Sequence, residues 1–248
     1  MNTARTPALL VEPLAWDTDF WGVTAARIWA TNTHQLREAV VECKRRGIRW
    51  ASLLVPIADT ELVNSAVRAG FEIVDVRVTL SASLDRTDQR MTVSVADPSE
   101  LQQAEEIVDG AFGISRFSAD PHLSRERANQ FYRTWVRNSF SGEMADAIVV
   151  SRHEGLLDAL VTVRQHEGGA ASMPLVAVRR DRRGTGVGAR VVADARTWLA
   201  RGGCTTVDVI TQLANLAAIR LYESAGFSVR EAGVWLHYWL DPGGPLGG

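Results

Sequence analysis

A run of six residues, from Arg183 to Gly188, separates a predicted strand from a predicted helix in the last third of the chain. The apolar segment 175–178 before it suits a buried strand. After it, apolar residues recur at helical spacing to about Ala200, and Gly202–Gly203 marks the helix end. Glycines at such a junction leave backbone N–H groups accessible, and the helix N-terminus adds partial positive charge. The run therefore predicts a cradle for a pyrophosphate group.

The glycine spacing excludes two common nucleotide loops. The P-loop lysine is missing, and the dinucleotide fingerprint needs Gly-x-Gly-x-x-Gly early in a βαβ unit. Arg183, Gly186 and Gly188 instead fill the pattern Arg/Gln-x-x-Gly-x-Gly/Ala. This pattern resembles the pyrophosphate signature of the GCN5-related N-acetyltransferase (GNAT) family.

A second block about thirty residues downstream extends this resemblance. Asn215 suits a helix N-cap, and Tyr222 follows about two helical turns later on the same side. Gly226–Phe227 closes the helix. The resemblance implies that Asn215 faces a pantetheine amide and that Tyr222 protonates the departing thiolate, for which a phenol with a pKa of about 10 is sufficient. The alternative for Tyr222 is a core aromatic whose hydroxyl is bonded locally.

The resemblance implies that the cofactor is acetyl-CoA or another short acyl-CoA, attacked directly by an amine. Backbone N–H groups of a strand over 173–178, bulged at Pro174, would stabilise the developing oxyanion. No residue is assigned as general base. Tyr222 is the predicted catalytic residue, and the predicted cofactor-binding residues are Val176, Ala177, Val178, Arg183, Gly184, Thr185, Gly186, Val187, Gly188, Ala189, Asn215 and Tyr222.

The chain also carries an internal echo. Gly47 and Gly70–Phe71 are separated by 23 positions, as are Gly203 and Gly226–Phe227, and both pairs enclose a strand and a short helix. The first copy has Asp59 and Ala66 where the second has Asn and Tyr, so it lacks the chemistry. The predicted fold class is α/β (an α+β mixed sheet), a GNAT fold with a degenerate, partial N-terminal lobe. The predicted domains are a lobe without cofactor over 1–92, a catalytic domain over 93–241 and a disordered tail over 242–248.

Three segments indicate the class of amine that accepts the acyl group. Residues 11–23, 111–117 and 131–136 look like those of the dTDP-fucosamine N-acetyltransferases, which acetylate the 4-amine of a nucleotide-linked deoxysugar. One departure is Leu221, where that subgroup has a basic residue; Arg220 comes one position earlier.

The polar stretch 114–123 predicts substrate-binding roles for Arg116, Phe117 and His122. Arg116 would pair with a diphosphate and Phe117 would stack on a base or sugar. The alternatives are a local carboxylate partner for Arg116, core packing for Phe117 and a surface position for His122.

Composition sets the remaining expectations for this 248-residue chain. A net charge of −2 gives no reason to expect a nucleic-acid or membrane partner, and Cys43 and Cys204 lack metal-ligand spacing. The start of the chain lacks a secretory signal, which predicts a cytoplasmic protein. The cysteine spacing predicts no metal site, and a homodimer is left open. The alternative functions are acylation of another small amine, an antibiotic or a peptide N-terminus, and a non-catalytic acyl-CoA sensor.

Overall fold

The computed structural model describes residues 9–84 and 92–240, so the predicted tail over 242–248 lies outside the described residues. The mixed α/β class is confirmed. In chain order the elements are β1 (Val11–Pro13), α1 (Ala15–Trp21), β2 (Ala25–Ile28), α2 (Thr33–Arg45), β3 (Trp50–Pro56), α3 (Thr60–Arg68), β4 (Glu72–Ser83), α4 (Leu101–Val108), α5 (Arg116–Ala119), α6 (Arg125–Phe140), β5 (Ala147–His153), β6 (Leu156–Gln165), β7 (Ala170–Met173), β8 (Val176–Val178), α7 (Val187–Arg201), β9 (Thr206–Gln212), α8 (Leu216–Ser224) and β10 (Ser228–Trp239).

The described chain divides into two compact units, each built from separate stretches of sequence. Unit 1 comprises residues 9–77, 115–127 and 232–240, and unit 2 comprises residues 78–84, 92–114 and 128–231. The predicted domains over 1–92 and 93–241 were instead continuous in sequence, and that division stays a prediction.

In unit 1 the strand order is β1-β2-β3-β10. Strands β2 and β3 are parallel, whereas β1 and β10 run antiparallel to their neighbours. Helices α2 and α3 bury Leu36 and Leu62 in one cluster with Leu53 and Leu236 of the sheet. Burial of each such leucine stabilises the fold by about 1.5–3 kcal/mol, so this cluster holds the helices on the sheet.

In unit 2 the strand order is β4-β9-β7-β6-β5, and β8 pairs with β6. Strands β7 and β9 are parallel, while β5 and β6 form an antiparallel pair. Helix α7 packs against β5, β6 and β8. It buries Val191, Ala195 and Leu199, whose helical spacing places them on one face. The predicted helix after the glycine run is therefore confirmed.

The internal echo is a structural repeat. The elements α2-β3-α3-β4 recur as α7-β9-α8-β10, and the later strands begin 156 residues after their counterparts, at Thr206 for Trp50 and Ser228 for Glu72. The N-caps repeat as well, because the Asp59 side chain accepts a hydrogen bond from Leu62 N as the Asn215 side chain does from Ala218 N.

Two predicted elements differ from the structure. Asp97 followed by Pro98 and Glu100 predicts a helix start with a capping box, and apolar spacing extends the predicted helix to about Phe112. The capping box is present, but α4 ends at Val108, and Gly110 follows with a φ of +66°. The predicted strand over 173–178 is two strands, because the chain leaves β7 after Met173 and re-enters the sheet as β8. Proline in the break has no N–H to donate to a ladder, which explains the interruption.

Candidate active site

The break between β7 and β8 opens a notch in the sheet of unit 2. Strand β7 pairs with β9 as far as Met173 and Val209. Strand β9 continues to Gln212, but among the described residues β8 has only β6 as a strand neighbour. The side of β8 turned away from β6 therefore has no strand beside it, and an extended ligand can take that place.

The hydrogen-bond pattern shows which backbone groups line this side of β8. Leu175 O accepts from Thr162 N at 2.9 Å, and Arg179 N donates to Asp158 O at 2.9 Å, so alternate residues starting at Leu175 bond to β6. The N–H and C=O groups of Val176 and Val178 must then point away from β6, because backbone direction alternates along a strand. These are the groups that the sequence predicts for pantetheine.

The predicted glycine cradle lies between β8 and α7. Gly184 and Gly186 have φ values of +77° and +84°, which favour glycine, and a Cβ added at either position would meet nothing within 4 Å. Gly186 caps α7 without any side-chain cap, so the first backbone N–H groups of the helix stay available. A Cβ at Gly188 would instead touch Val178 and Leu221 at 3.4 Å. The cradle is open above Gly184 and Gly186 and closely packed beneath Gly188.

A buried carboxylate, which sequence reasoning missed, holds the two ends of this cradle. Asp158 of β6 is 0% exposed and lies 3.7 Å from Arg182 Nε and 3.8 Å from Arg190 Nη2. Arg182 precedes the glycines and Arg190 follows them in α7. Arg183 Nε donates to Val178 O at 3.2 Å and ties the loop to β8. No spacing rule relates position 158 to the glycine run, so the sequence carried no signal for this anchor.

Tyr222 lies on α8 and Asn215 is the N-cap of that helix, as predicted. Asn215 Oδ1 accepts from Ala218 N at 3.2 Å, which confirms the N-cap. Tyr222 is 4% exposed, and its ring centre lies 5.9 Å from that of Phe227. Its hydroxyl forms no hydrogen bond with any residue of the described ranges, so it lacks the local partner that the packing alternative requires. Burial raises the pKa of Tyr222 above its ordinary value, so the hydroxyl keeps its proton at neutral pH.

The two cysteines are free and buried, as expected from the sequence. Burial raises the pKa of the Cys43 thiol to about 11, and it also raises the pKa of the Cys204 thiol. Neither is activated as a nucleophile. Among residues 9–84 and 92–240, no group of three His, Cys, Asp or Glu side chains could hold a metal, and no helix is long and apolar enough to cross a membrane.

Comparison with known proteins shows which family unit 2 resembles. Residues 146–227, all in unit 2, match the model of the acetyltransferase (GNAT) family. Unit 2 thus carries a GNAT acetyltransferase domain.

Individual relatives agree with this assignment. The chain is 27% identical over 230 residues to the dTDP-fucosamine acetyltransferase of Escherichia coli O6:H1, covering 92% of this chain and 97% of that protein. It is 28% identical over 155 residues to the spore coat polysaccharide biosynthesis protein SpsD of Bacillus subtilis, covering 62% of this chain and 53% of that protein. In fold it is similar to a GCN5-related N-acetyltransferase from Sphaerobacter thermophilus, with a TM-score of 0.64, 15% identity and coverage of 95% and 78%.

The predicted substrate residues belong to unit 1. The Arg116 guanidinium lies 4.1 Å from the centre of the Trp235 ring and 4.4 Å from that of Phe117. Phe117 is 4% exposed and packs against Trp21 and Trp50, which are the surroundings that the packing alternative describes. His122 Nε2 lies 3.4 Å from Glu72 Oε1. The substrate-binding roles of these three residues stay predictions.

A buried pair holds the segment with Arg116 on the sheet of unit 1. Asp120 Oδ2 is 2.6 Å from His237 Nδ1 and accepts from Trp239 Nε1 at 3.0 Å, while Oδ1 accepts from His122 N at 2.8 Å. Burial, with smaller contributions from Arg116 and nearby Arg27, lowers the pKa of His237 to about 4, although its bond to Asp120 acts in the opposite direction.

This pKa predicts a loss of stability in weak acid. The unfolded chain binds a proton at His237 below pH 6.5, whereas the folded chain stays neutral until about pH 4. The free energy of unfolding should therefore fall by up to about 1.4 kcal/mol per pH unit in this window. Buried Asp17 and Asp194 have raised pKa values and contribute with the opposite sign, so the His237 effect must be measured as a difference.

Urea unfolding at several pH values between 4 and 7 checks this expectation. His237→Gln should flatten the pH dependence, while His34→Gln, at an 80% exposed side chain, should keep it. Equal slopes in wild type and His237→Gln would contradict the assignment.

Proposed function

We propose that the protein transfers an acetyl group from acetyl-CoA to the amine of a nucleotide-linked amino-deoxysugar. The observation that supports acetyl-CoA as the cofactor is the notch beside β8, which continues into the open cradle at the start of α7. A thioester, a pantetheine chain and a diphosphate follow one another in acetyl-CoA, as the notch, β8 and the cradle do here.

In this proposal unit 2 binds acetyl-CoA. Bound acetyl-CoA supplies an acyl thioester activated toward an amine. The N–H and C=O groups of Val176 and Val178 pair with pantetheine, and the N–H groups at the start of α7 hold the diphosphate. The proposed cofactor-binding residues are Val176, Ala177, Val178, Arg183, Gly184, Thr185, Gly186, Val187, Gly188, Ala189, Asn215 and Tyr222.

Tyr222 is proposed to donate its hydroxyl proton to the thiolate sulfur. The packing supports this, because the Tyr222 hydroxyl is held on a buried ring and forms no hydrogen bond within the described residues. A sensor that only binds acyl-CoA has no use for such a group, so the proposal favours catalysis over sensing. The two reduced thiols fit the cytoplasm as its compartment.

The acceptor class is supported by the relatives and by Arg116 of unit 1. The similarity to the dTDP-fucosamine acetyltransferase covers 92% of this chain. Arg116 is a donor suited to a diphosphate. Its guanidinium stacks on the Trp235 ring.

A thiol-release assay with a panel of amines tests the proposed function. We expect kcat/KM for a nucleotide-linked amino sugar to exceed that for the same free sugar by about 10²-fold or more, because two charge-assisted hydrogen bonds of about 1.5–3 kcal/mol each are lost with the nucleotide. Arg116→Ala should remove most of this preference and leave acetyl-CoA binding unchanged.

The panel also contains an aminoglycoside and a peptide with a free N-terminus. Equal turnover of the free and the nucleotide-linked amino sugar would indicate that the acceptor is a simple amine or an antibiotic. Acetyl-CoA binding without turnover of any amine would favour the sensor.

A further inference from the structure

A serine and a histidine meet beside the break between β7 and β8 in unit 2. Ser172 Oγ is 2.9 Å from His166 Nε2. Arg164 of β6 lies opposite Ser172 in the ladder of β6 and β7, and His166 follows two residues later. His166 N donates to Ala170 O at 2.8 Å and extends this ladder past the end of β6. The backbone of the two strands therefore holds Ser172 and His166, the serine–histidine pair, at one edge of the turn.

Ser172 lies on an open face of the sheet, next to the notch. The side chains of Ala171 and Met173 are buried, whereas that of Ser172 between them is only half-buried, as expected from the alternation along a strand. Register places Asp208 of β9 beside Ser172 on the same face, and the ladder of β7 and β9 ends one residue later. The next side chain on this face of β9, Ile210, is 44% exposed. An acceptor can therefore reach the notch from this face.

The carboxylate on this face is already compensated by the fold. Asp208 Oδ2 is 2.8 Å from Arg230 Nη1, and Asp208 Oδ1 accepts a hydrogen bond from Ser81 Oγ. The Ser172 hydroxyl has His166 as its hydrogen-bond partner within residues 9–84 and 92–240. A hydroxyl that donates one hydrogen bond keeps two lone pairs to accept with. The serine–histidine pair therefore retains the capacity to accept a proton beside the notch.

We propose that the serine–histidine pair takes up the proton that the amine loses on acylation. This inference deepens the proposed function and rests on it, since that function places the thioester at the notch and leaves the base open. Ser172 is the catalytic residue of the pair, and His166 acts through it. A histidine is the side chain that most often accepts a proton in such steps.

The protons and bonds balance across the step. As the amine nitrogen bonds to the thioester carbonyl carbon, Ser172 Oγ takes the nitrogen's proton and passes its own to His166 Nε2. As the carbon–sulfur bond breaks, Tyr222 donates its proton to the sulfur, which leaves an amide and a thiol. His166 is exposed and returns its proton to water, and water restores the proton of Tyr222.

Turnover of hydroxylamine, a small amine that needs no sugar site, tests the pair. His166→Ala is expected to lower kcat by about 10²-fold, with the calorimetric Kd for acetyl-CoA unchanged. Added imidazole should restore part of this loss, because the position is exposed. Ser172→Ala should lower kcat too, and the double variant should fall no further, since groups that act as a unit are not additive. His153→Ala, at a 49% exposed side chain of β5, is the matched control and should keep the wild-type kcat with no response to imidazole.

Nuclear magnetic resonance of the imidazole nitrogens, recorded without acetyl-CoA, tests the pair independently of turnover. The neutral His166 ring is expected to carry its proton on Nδ1, so that Nε2 accepts from Ser172, and Ser172→Ala should shift the Nε2 resonance. A proton on Nε2 overturns the proposal, because this nitrogen could not then accept one.

The outcomes separate the pair from the proposed acceptor. Equal kcat in His166→Ala and His153→Ala, or a loss in His166→Ala that imidazole does not reduce, overturns the pair and leaves the proposed function intact. If hydroxylamine turnover depends on both residues but no nucleotide-linked amino sugar is acetylated, the pair stands and the proposed acceptor fails. Wild-type protein that acetylates neither hydroxylamine nor any amine of the panel overturns the pair together with the reaction.

Discussion

Tyr222→Phe is expected to lower kcat by about 10²–10⁴-fold while leaving acetyl-CoA affinity nearly unchanged. The substitution removes one hydroxyl from a ring that is otherwise packed against Phe227, so the fold should keep its shape. Without that proton the thiolate must leave as an anion into a largely apolar surrounding. Steady-state turnover and calorimetric binding of acetyl-CoA measure the two quantities.

Tyr238→Phe is the matched control. Tyr238 is 7% exposed and lies 5.0 Å from Phe71, as Tyr222 lies beside Phe227. The kcat of Tyr238→Phe should stay within about twofold of wild type, since packing changes of this size seldom affect the chemical step. A fall of less than about threefold in Tyr222→Phe, with chemistry rate-limiting, would make Tyr222 a packing residue.

Gly186→Asp is expected to raise the Kd for acetyl-CoA by about 10²-fold or more. The added carboxylate projects into the open space above the cradle and repels a diphosphate there, and two like charges about 4 Å apart near a surface cost about 4 kcal/mol. The side chain also cancels part of the positive charge at the start of α7. Calorimetric titration of acetyl-CoA measures the change.

Gly142→Asp separates this electrostatic effect from backbone strain. Gly142 has the same φ of +84° as Gly186, and a Cβ there also meets nothing within 4 Å. Both variants carry the same strain, so only Gly186→Asp should weaken binding. Unchanged acetyl-CoA affinity in Gly186→Asp would show that the diphosphate binds elsewhere. Two acetyl-CoA sites per chain would contradict a single cradle.

Local sequence determined the elements whose signals lie within a few residues. The glycine run, the cap at Asn215 and the apolar spacing of α7 each involve neighbours in the chain, and the structure has all three. The 23-residue spacing of the paired glycines likewise revealed a repeat that the structure reproduces over four elements. Periodicity and capping act over one or two turns, so a single sequence displays them.

Local signals also set the limits of the prediction. The predicted helix over 97–112 was too long, because apolar spacing continues through Ala111 and Phe112 beyond the turn at Gly110. Proline in the strand over 173–178 indicated an irregularity, but not that β7 and β8 would both pair with β6 while β7 alone also pairs with β9. That outcome depends on which strands lie on each side, and those come from distant parts of the chain.

Only the tertiary structure decided which distant side chains meet. Asp158 of β6 pairs with Arg182 and with Arg190 of α7. Arg27 shares the Trp235 ring with Arg116 although some 200 residues separate Arg27 from that tryptophan. Each contact joins groups from separate elements, and its strength comes from burial that no local window displays. The sequence by itself determined the strand–glycine–helix cradle and the repeat, because their physics is local. The tertiary structure decided that Asp158 lies beside Arg182 and Arg190 in unit 2, and that Arg27 and Arg116 share one indole in unit 1, because burial and pairing depend on the whole chain.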